Sequence, residues 1–311
     1  MWLVTGGAGF IGSHIVKHLV AGNQPVRVLD NFSTGNPARL DGLAGKVEVI
    51  EGDIRDEALV HRAMAGIEIV LHQAAQPSVP QSMLDPVTTY AVNLTGTLNL
   101  LKAARDANVR RVVLASTSAV YGNDPTPVKS ELLIPKPVSP YASSKLATEG
   151  VAEVFTYAYG LPCVALRYFN VYGPGQDPNS AYAAVIPKVI DLMHQGELPT
   201  IFGDGGQTRD FVYVGDVVEA NMIAARAPAA PANVYNIASG RAVTILDMVG
   251  TLAALLGTDA TVRHLPERAG DIRDSLADVS KAKRDLGFIA ATSLEAGLAQ
   301  TVGKHRVASA A

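Results

Sequence analysis

Short apolar runs rich in β-branched residues alternate with longer segments of helical period through the first half of the chain. The short runs predict strands, and the longer segments between them predict helices. This alternation is typical of an α/β protein with a parallel sheet covered by helices on both faces. The predicted strands are Trp2–Thr5, Pro25–Asp30, Val47–Glu51, Glu68–His72, Arg111–Ser116 and Pro162–Arg167. The predicted helices include Ile11–Ala21, Asp56–Ala65, Pro86–Ala107 and Pro140–Tyr159.

The pattern loosens after residue 167. Turns rich in Gly and Pro, such as Gly173-Pro174-Gly175 and Gly203-Asp204-Gly205-Gly206, separate short helical segments. Such turns predict a smaller lobe with long binding loops. We therefore expect a first domain over residues 1–167 and a smaller second lobe over residues 168–311, with segments near 210–240 returning to the first domain.

The charges of the chain are almost balanced. Lys and Arg number 26 against 29 Asp and Glu, which gives a formal net charge of −3 over 311 residues. This excludes a strongly basic nucleic-acid binder. Hydrophobic residues make up 48% of the sequence, so the chain can bury a large core.

Cys163 is the single cysteine of the chain and lies in an apolar run, so we expect it in a buried strand. One cysteine cannot form an intramolecular disulfide, which favours a reducing, cytoplasmic setting. No run of about 18 apolar residues predicts a membrane span, and no basic leader predicts a signal peptide. The seven histidines are not spaced as zinc ligands, so we expect no metal held by protein ligands.

A glycine-rich turn joins the first predicted strand to the first predicted helix. The glycines of Gly6-x-x-Gly9-x-x-Gly12 permit a tight turn and let the backbone approach a pyrophosphate. The N–H groups at the start of the helix, at Phe10 and Ile11, then point toward that anion. The turn therefore predicts dinucleotide binding, although glycine clusters also occur in purely structural turns.

Asp30 closes the second predicted strand, 18 residues after Gly12. A carboxylate there accepts hydrogen bonds from the adenosine ribose and repels a 2′-phosphate, which favours NAD over NADP. Asn31 follows it in the same segment. Asp53 and Ile54 follow the third strand, beside the expected adenine position, although Asp53 alone also suits a helix cap.

Tyr141 and Lys145 begin a predicted helix at an i, i+4 spacing, which places the phenol and the ammonium on one face. A free tyrosine has a pKa near 10, and a neighbouring positive charge, helped by a nicotinamide ring, lowers it toward the working range of a base. Upstream, Thr117 lies where the fifth strand ends, at the sheet edge where such folds bind ligands. In isolation such a pair is more often solvated, and such a hydroxyl is more often a cap. The order of glycine turn, strand-end hydroxyl and Tyr-x-x-x-Lys favours catalysis.

On these motifs the chain resembles the extended short-chain dehydrogenase/reductase family, and within it the nucleotide-sugar epimerases. The resemblance implies a Rossmann-type doubly wound sheet with a smaller C-terminal α/β substrate lobe and NAD as cofactor. It implies Tyr141 as the base, with Lys145 and Thr117 beside it. It also implies cofactor contacts at Ala74 and Asn93, although Asn93 alone suits a buried residue that fixes its helix. Family members usually form homodimers through the helices that match Pro86–Ala107 and Pro140–Tyr159.

The second lobe resembles the part of these epimerases that binds a UDP-sugar. The resemblance implies that Asn170, Arg209 and Arg268 contact the diphosphate, since guanidinium groups suit phosphates. Val185 and Phe202 then line the nucleobase pocket. Ser275 matches a position where a bulky aromatic residue restricts the pocket to plain hexoses, so a serine leaves room for an N-acetyl group unless it is only a loop residue.

The implied activity is reversible 4-epimerisation of a UDP-hexose, either UDP-glucose and UDP-galactose or their N-acetylated forms, through a 4-keto sugar. The alternatives are a nucleotide-sugar decarboxylase or 4,6-dehydratase on the same scaffold. A dehydratase of this family carries Asp-Glu directly after the strand-end Thr, where this chain has Ser118 and Ala119. A non-catalytic NAD-sensing module is disfavoured because Tyr141 and Lys145 are both present.

Overall fold

The computed structural model describes residues 1–177, 185–228, 233–267 and 273–308. The strands are β1 Trp2–Thr5, β2 Val26–Asp30, β3 Val47–Glu51, β4 Ile69–His72, β5 Arg111–Thr117, β6 Val128–Lys129, β7 Cys163–Tyr168, β8 Asn170–Tyr172, β9 Thr200–Phe202, β10 Thr208–Arg209, β11 Phe211–Tyr213, β12 Asn233–Ile237, β13 Val243–Thr244, β14 Arg263–Leu265 and β15 Asp274–Ala277. The helices are α1 Phe10–Ala21, α2 Glu57–Ala63, α3 Val79–Leu84, α4 Pro86–Tyr90, α5 Gly96–Asp106, α6 Pro140–Tyr159, α7 Val185–His194, α8 Val214–Ala224, α9 Ile245–Leu256, α10 Ser280–Leu286 and α11 Leu294–Ala308.

A seven-stranded parallel sheet organises the first part of the molecule, in the order β12-β7-β5-β4-β1-β2-β3. The predicted fold class is confirmed, and six of these strands occur where the sequence predicts them, within one residue at each end. The seventh, β12, pairs with β7 although it lies more than sixty residues further along the chain. Strand order reverses at β1, which is flanked by β2 and β4, so a crevice forms at the carboxyl edge there.

Helices cover the sheet on both faces because its strands are apolar on both sides. One face carries α1 and α8, whose Ile15 and Val217 are fully buried. The other face carries α2, α5 and α6, whose Leu101 and Ala152 are buried. Cys163 is 1% exposed at the start of β7, so the expectation of a buried cysteine is confirmed.

The segment predicted as one helix over Pro86–Ala107 is divided. A π-helical turn over Ala91–Thr95 separates α4 from α5. The extra residue of such a turn re-aims the side chains that it carries. Here the turn contains Asn93, which is 1% exposed, and the Thr97 hydroxyl donates to the Asn93 carbonyl at 2.5 Å. Hydrophobic periodicity does not reveal this turn, because the apolar face continues through it.

Outside the seven-stranded sheet, the described residues form a four-stranded sheet, β13-β10-β15-β6, and the two-stranded pairs β11-β8 and β14-β9. A further hydrophobic core lies among α7, α9 and α11, around residues such as Ile190, Leu252 and Leu298. In the part of the chain that the structure describes, no helix combines the length and apolarity needed to cross a membrane.

Candidate active site

The glycine turn lies between β1 and α1, at the carboxyl edge of the sheet. Gly6 has a φ of +67°, and a Cβ there would lie 2.7 Å from the Ala74 backbone nitrogen. A Cβ on Gly12 would lie 2.1 Å from the Gly6 carbonyl oxygen. Both positions therefore require glycine because backbone approaches backbone.

The start of α1 faces this turn. Gly9 is the N-cap, and Ser13 is the first residue whose N–H bonds back, to the Gly9 carbonyl at 3.1 Å. The amides of Phe10, Ile11 and Gly12 form the first turn, where intrahelical bonding leaves N–H groups unused. This arrangement fits a pyrophosphate, which the amides and the positive end of the twelve-residue helix would hold.

Asp30 connects the glycine turn to the end of β2. Its Oδ2 accepts the Ala8 N–H at 2.8 Å, and its Oδ1 accepts the Phe32 N–H at 2.9 Å. The side chain is buried, and each carboxylate oxygen keeps further acceptor capacity. Asp30 thus lies beside the glycine turn, where it can also accept hydrogen bonds from ribose hydroxyls.

Asp53 binds its neighbours rather than a helix end. Arg55 donates to both of its carboxylate oxygens, at 2.9 and 2.7 Å, and Asn31 Nδ2 donates to Oδ2 at 2.9 Å. These bonds, chiefly that of Arg55, lower the pKa of Asp53 to about 2. The cap of α2 is Asp56, so the alternative of Asp53 as a helix cap is not what the structure shows. Ile54 is buried beside it.

Tyr141 and Thr117 meet across the gap between α6 and β5. Ser139 caps α6 by accepting the Ala142 N–H at 3.2 Å, which places Tyr141 in the first turn. The Thr117 side chain lies beside its phenol and lowers the pKa of that group. The Thr117 hydroxyl accepts the Ala119 N–H at 3.2 Å, so it also caps the turn that follows β5.

Lys145 lies one turn further along α6 and is buried. Its Nζ donates to the Ala115 carbonyl at 3.0 Å. Burial lowers the pKa of Lys145 to about 8, and the charge of Glu149 opposes this shift. A lysine with such a pKa can gain or lose a proton near neutral pH.

The pKa of Tyr141 corrects the expectation from the sequence. Burial raises it above its usual value, and the neighbouring Thr117 side chain opposes that rise. The sequence predicted that Lys145 would lower it. The Lys145 ammonium is instead directed to the Ala115 carbonyl, and burial is the largest influence on the pKa of the phenol.

The structure brings Ala74 and Asn93 to the same edge of the sheet. The Ala74 N–H donates to the Thr5 hydroxyl at 3.3 Å. Asn93 Oδ1 accepts the Gln76 N–H at 2.7 Å, and its Nδ2 donates to the Gln76 carbonyl and to the Ser144 hydroxyl. Asn93 therefore ties the loop after β4 to helix α6.

A buried histidine supports this edge, and sequence reasoning missed it. His72 Nδ1 lies 2.6 Å from the Thr5 hydroxyl, and its Nε2 lies 2.9 Å from the Thr97 hydroxyl. Burial, with a smaller effect of the Lys145 charge, lowers the pKa of His72 to about 3. The histidine is neutral near pH 7 and links β1 and β4 to the first turn of α5. The three partners are far apart in sequence, so local pattern carries no signal of the cluster.

Asn170 and Arg209, predicted from separate segments, are brought together. Asn170 donates its backbone N–H and its Nδ2 to the carbonyl of Asp210, at 3.1 and 3.2 Å. Arg209 Nη1 donates to the carbonyls of Thr208 and Arg273, at 2.8 and 3.2 Å. Ser275 lies opposite Arg209 in the pairing of β15 with β10. Val185 begins α7 and Phe202 ends β9, each partly buried, while Arg268 lies outside the described residues.

Asp210 is a second buried residue that sequence reasoning missed. Its Oδ1 accepts the N–H and the hydroxyl of Ser239, and its Oδ2 accepts the N–H groups of Gly240 and Ala277. Burial raises the pKa of Asp210, and the hydrogen bonds oppose the rise. The residue thereby joins the strand that carries Arg209 to the segments after β12 and within β15.

Comparison with known proteins agrees with this geometry. The model of the NAD dependent epimerase/dehydratase family matches residues 2–238. A putative UDP-glucose 4-epimerase of Methanocaldococcus jannaschii is 38% identical over 305 residues, covering 97% of each chain. The structure of a UDP-N-acetylglucosamine 4-epimerase from Methanobrevibacter ruminantium, in complex with UDP-N-acetylmuramic acid, superimposes with a TM-score of 0.95 at 39% identity, covering 99% of this chain and 98% of that one. That of the Thermotoga maritima UDP-glucose 4-epimerase with UDP-glucose gives 0.92 at 39% identity, covering 99% of both chains.

Proposed function

The chain belongs to the NAD-dependent epimerase/dehydratase family, and we propose that it catalyses the reversible inversion of C4 in the hexose of a UDP-sugar. The observation that carries this proposal is the meeting of Tyr141 and Thr117 at the carboxyl edge of β5, with Lys145 one turn away. The similar proteins named as UDP-glucose and UDP-N-acetylglucosamine 4-epimerases support the same activity. The enzyme is an isomerase of the NAD-dependent type.

Tyr141 removes the proton from the C4 hydroxyl, and the Thr117 hydroxyl orients that oxygen. The chemistry that NAD would supply when bound is reversible hydride transfer at C4, and its positive nicotinamide would favour the tyrosine phenolate. The glycine turn with Asp30 would hold this cofactor. Lys145 is the source of positive charge that the protein itself supplies beside the phenol. Since hydride returns to the sugar, no net reduction occurs.

The sugar has to turn between the two hydride transfers while its nucleotide stays bound. Asn170, which bonds the Asp210 carbonyl, and Arg209, which precedes Asp210 in the chain, would hold the diphosphate during that turn. Arg268 would add a second positive charge. Release of a 4-keto sugar would leave the cofactor reduced. The reaction therefore requires that the nucleotide stay tightly bound. Val185 and Phe202 would contact the nucleobase.

Ser275 favours a pocket that also admits N-acetylated sugars. It is only partly buried and lies opposite Arg209, next to the proposed diphosphate site. A small side chain here leaves space that an aromatic ring would fill. The similarity to a UDP-N-acetylglucosamine 4-epimerase is consistent with that wider substrate range.

We also propose that the enzyme is a homodimer. Helices α3 and α4 pack against α6, and these helices carry strongly exposed apolar side chains. Leu84 is 74% exposed, Val87 is 77% exposed and Tyr157 is 75% exposed. Strongly exposed apolar side chains on helices that pack together are typical of an interface. A second copy of the chain would bury it and form a bundle of helices from both subunits.

A product assay tests the proposed function. The purified protein is incubated with UDP-glucose, UDP-galactose, their N-acetylated counterparts and a UDP-uronic acid, without added reductant, and the products are separated by chromatography. We expect UDP-galactose to yield UDP-glucose. Release of carbon dioxide from the uronic acid would instead indicate a decarboxylase, and loss of water a dehydratase. Failure to convert any of the four UDP-hexoses and N-acetylhexosamines would overturn the epimerase assignment.

A further inference from the structure

A buried ion pair lies directly behind the proposed active site. Arg167 near the end of β7 donates from Nε and Nη2 to the two carboxylate oxygens of Glu149 on α6, at 2.9 and 2.7 Å. Glu149 is 7% exposed and Arg167 is 4% exposed. Removing two such charges from water is costly, and an apolar pair of similar volume is often as stable. The pair therefore calls for an explanation other than stability.

The carboxylate of Glu149 also reaches the catalytic strand. The Ser116 hydroxyl donates to its Oε1. Ser116 is the residue between Ala115, whose carbonyl accepts from Lys145, and Thr117, whose side chain lies beside Tyr141. Ala115 and Ser116 are thus each bonded to α6, and Thr117 lies next to it, opposite side chains on successive turns of that helix.

Lys145 lies one helical turn before Glu149 on the same face of α6. The charge of Glu149 raises the pKa of Lys145 and works against the larger lowering by burial. The ammonium form of Lys145 thus depends on a carboxylate that the reaction itself does not use.

Other groups around Glu149 define its electrostatic setting. Arg167 also donates to the Tyr121 hydroxyl at 3.0 Å, and its guanidinium lies over that ring. The pair forms one wall of a surface cavity of about 460 Å³, and the remaining charged side chains of that wall are Glu131, Glu153 and Lys281.

We propose that Glu149 is a positioning residue: it fixes the position of α6 relative to the end of β5 and supplies the negative charge that favours the ammonium form of Lys145. This inference rests on the proposed function for its catalytic meaning. Arg167 aligns the carboxylate and neutralises part of its charge. The hydrogen bond from Ser116 links the Glu149 carboxylate to the strand that carries Thr117.

The charge is tested by a measurement that needs no turnover. Protein labelled with ¹³C at lysine Cε is titrated by NMR, and the Lys145 signal is assigned with a Lys145→Arg variant. In Glu149→Gln, the pKa of Lys145 is expected to fall by roughly half a unit, less than an unneutralised neighbouring charge would cause. Glu149→Asp keeps the charge and should stay near the wild-type value. Glu153→Gln, one turn further along the same helix and exposed, is the matched control and should leave the Lys145 titration unchanged.

The alignment is tested by kinetics. Ser116→Ala keeps the ion pair and removes only the bond to β5, so kcat is expected to fall about tenfold while KM and the pH profile stay unchanged. In Glu149→Gln, the alkaline limb of kcat should move to lower pH. An unchanged Lys145 titration in Glu149→Gln, or wild-type kcat in Ser116→Ala, overturns the proposal. If Glu149→Gln does not fold, Glu149→Asp and Ser116→Ala carry the test: reduced kcat without a shifted alkaline limb in both variants supports it, and wild-type kcat in either overturns it. If the wild type converts no UDP-sugar, the proposed function fails while the NMR titration still decides the charge.

Discussion

Lys145 donates its ammonium hydrogen to the carbonyl of Ala115 at 3.0 Å, two residues before Thr117 on the same strand. This bond fixes where α6 meets β5, and the first turn of α6 then carries Tyr141 to the Thr117 hydroxyl. The lysine therefore acts on geometry as well as on charge. A substitution at Tyr141 should separate catalysis from this scaffold, because Lys145 and Ala115 remain bonded without the phenol.

Replacing Tyr141 with Phe is expected to reduce kcat by at least about a thousandfold, because a positioned acid–base group contributes roughly 10² to 10⁴ in rate. The amount of NAD bound per chain, released by denaturing the protein and measured by absorbance, should match that of the wild type. Tyr159→Phe is the matched control, since Tyr159 lies at the end of the same helix and is 52% exposed. Persistence of activity in Tyr141→Phe would show that another group is the base.

Replacing Asp30 with Ala is expected to raise the dissociation constant for NAD at least about tenfold. Two backbone N–H groups, of Ala8 and Phe32, lose their acceptor, and a ribose loses a partner. The loss should be measured by calorimetry on protein stripped of cofactor. Glu51→Ala is the control, since Glu51 ends the adjacent strand opposite Asp30 and is exposed. Equal NAD affinity in wild type and Asp30→Ala would contradict this role.

Replacing Ser275 with Tyr is expected to lower kcat/KM for the N-acetylated UDP-sugars about tenfold or more and to change that for UDP-glucose and UDP-galactose little. The added ring would fill space that an acetamido group needs, and steric exclusion can discriminate between otherwise similar substrates. Ser275→Ala should behave as the wild type toward both classes. If both classes lose activity equally, the residue does not select between them.

Acidification should destabilise the protein through His72. The unfolded imidazole binds a proton near pH 6.5, whereas the buried one stays neutral down to about pH 3. The unfolded state therefore binds more protons in this range, and stability falls as pH falls below 6.5. Between pH 7 and pH 5 this group should lower the free energy of unfolding by about 2 kcal/mol.

Urea unfolding at both pH values measures this difference. His72→Asn should remove most of it, while His18→Gln should leave it unchanged, since His18 is exposed on α1. If the free energy of unfolding depends on pH in His72→Asn as it does in the wild type, groups other than His72 cause the effect.

Replacing Val87 with Glu should dissociate the proposed dimer, because a buried, unpaired carboxylate is costly at an apolar interface. Sedimentation should give twice the chain mass of 32.6 kDa for the wild type and the single mass for the variant. Leu132→Glu is the control, since Leu132 is 93% exposed on the loop after β6. A wild-type monomer would refute the dimer directly.

Local pattern predicted much of the fold and of the site. The limits of β1, β3 and α6 agree with the prediction at both ends, because strand propensity, the helix cap at Ser139 and the αL glycine at Gly160 are all local signals. The glycine turn and the spacing of Tyr141 with Lys145 are likewise local. Their chemistry could be stated before any contact was known.

Other features depend on residues that are distant in sequence. The π-helical turn at Asn93 and the cluster of His72 with Thr5 and Thr97 have no local signal. They arise when separate segments must satisfy one another's buried polar groups.

Patterns local to the sequence are enough to predict a parallel α/β sheet, with a phosphate-binding turn at Gly6 to Gly12 and a phenol and an ammonium on one helical face. How those groups titrate, and which residues hold them, depends on the way the elements pack in three dimensions. Burial raises the pKa of Tyr141 and lowers that of Lys145, while Glu149 and Arg167 meet behind them. The physical reason is that periodicity and spacing act within one element, whereas desolvation and ion pairing depend on which elements pack together.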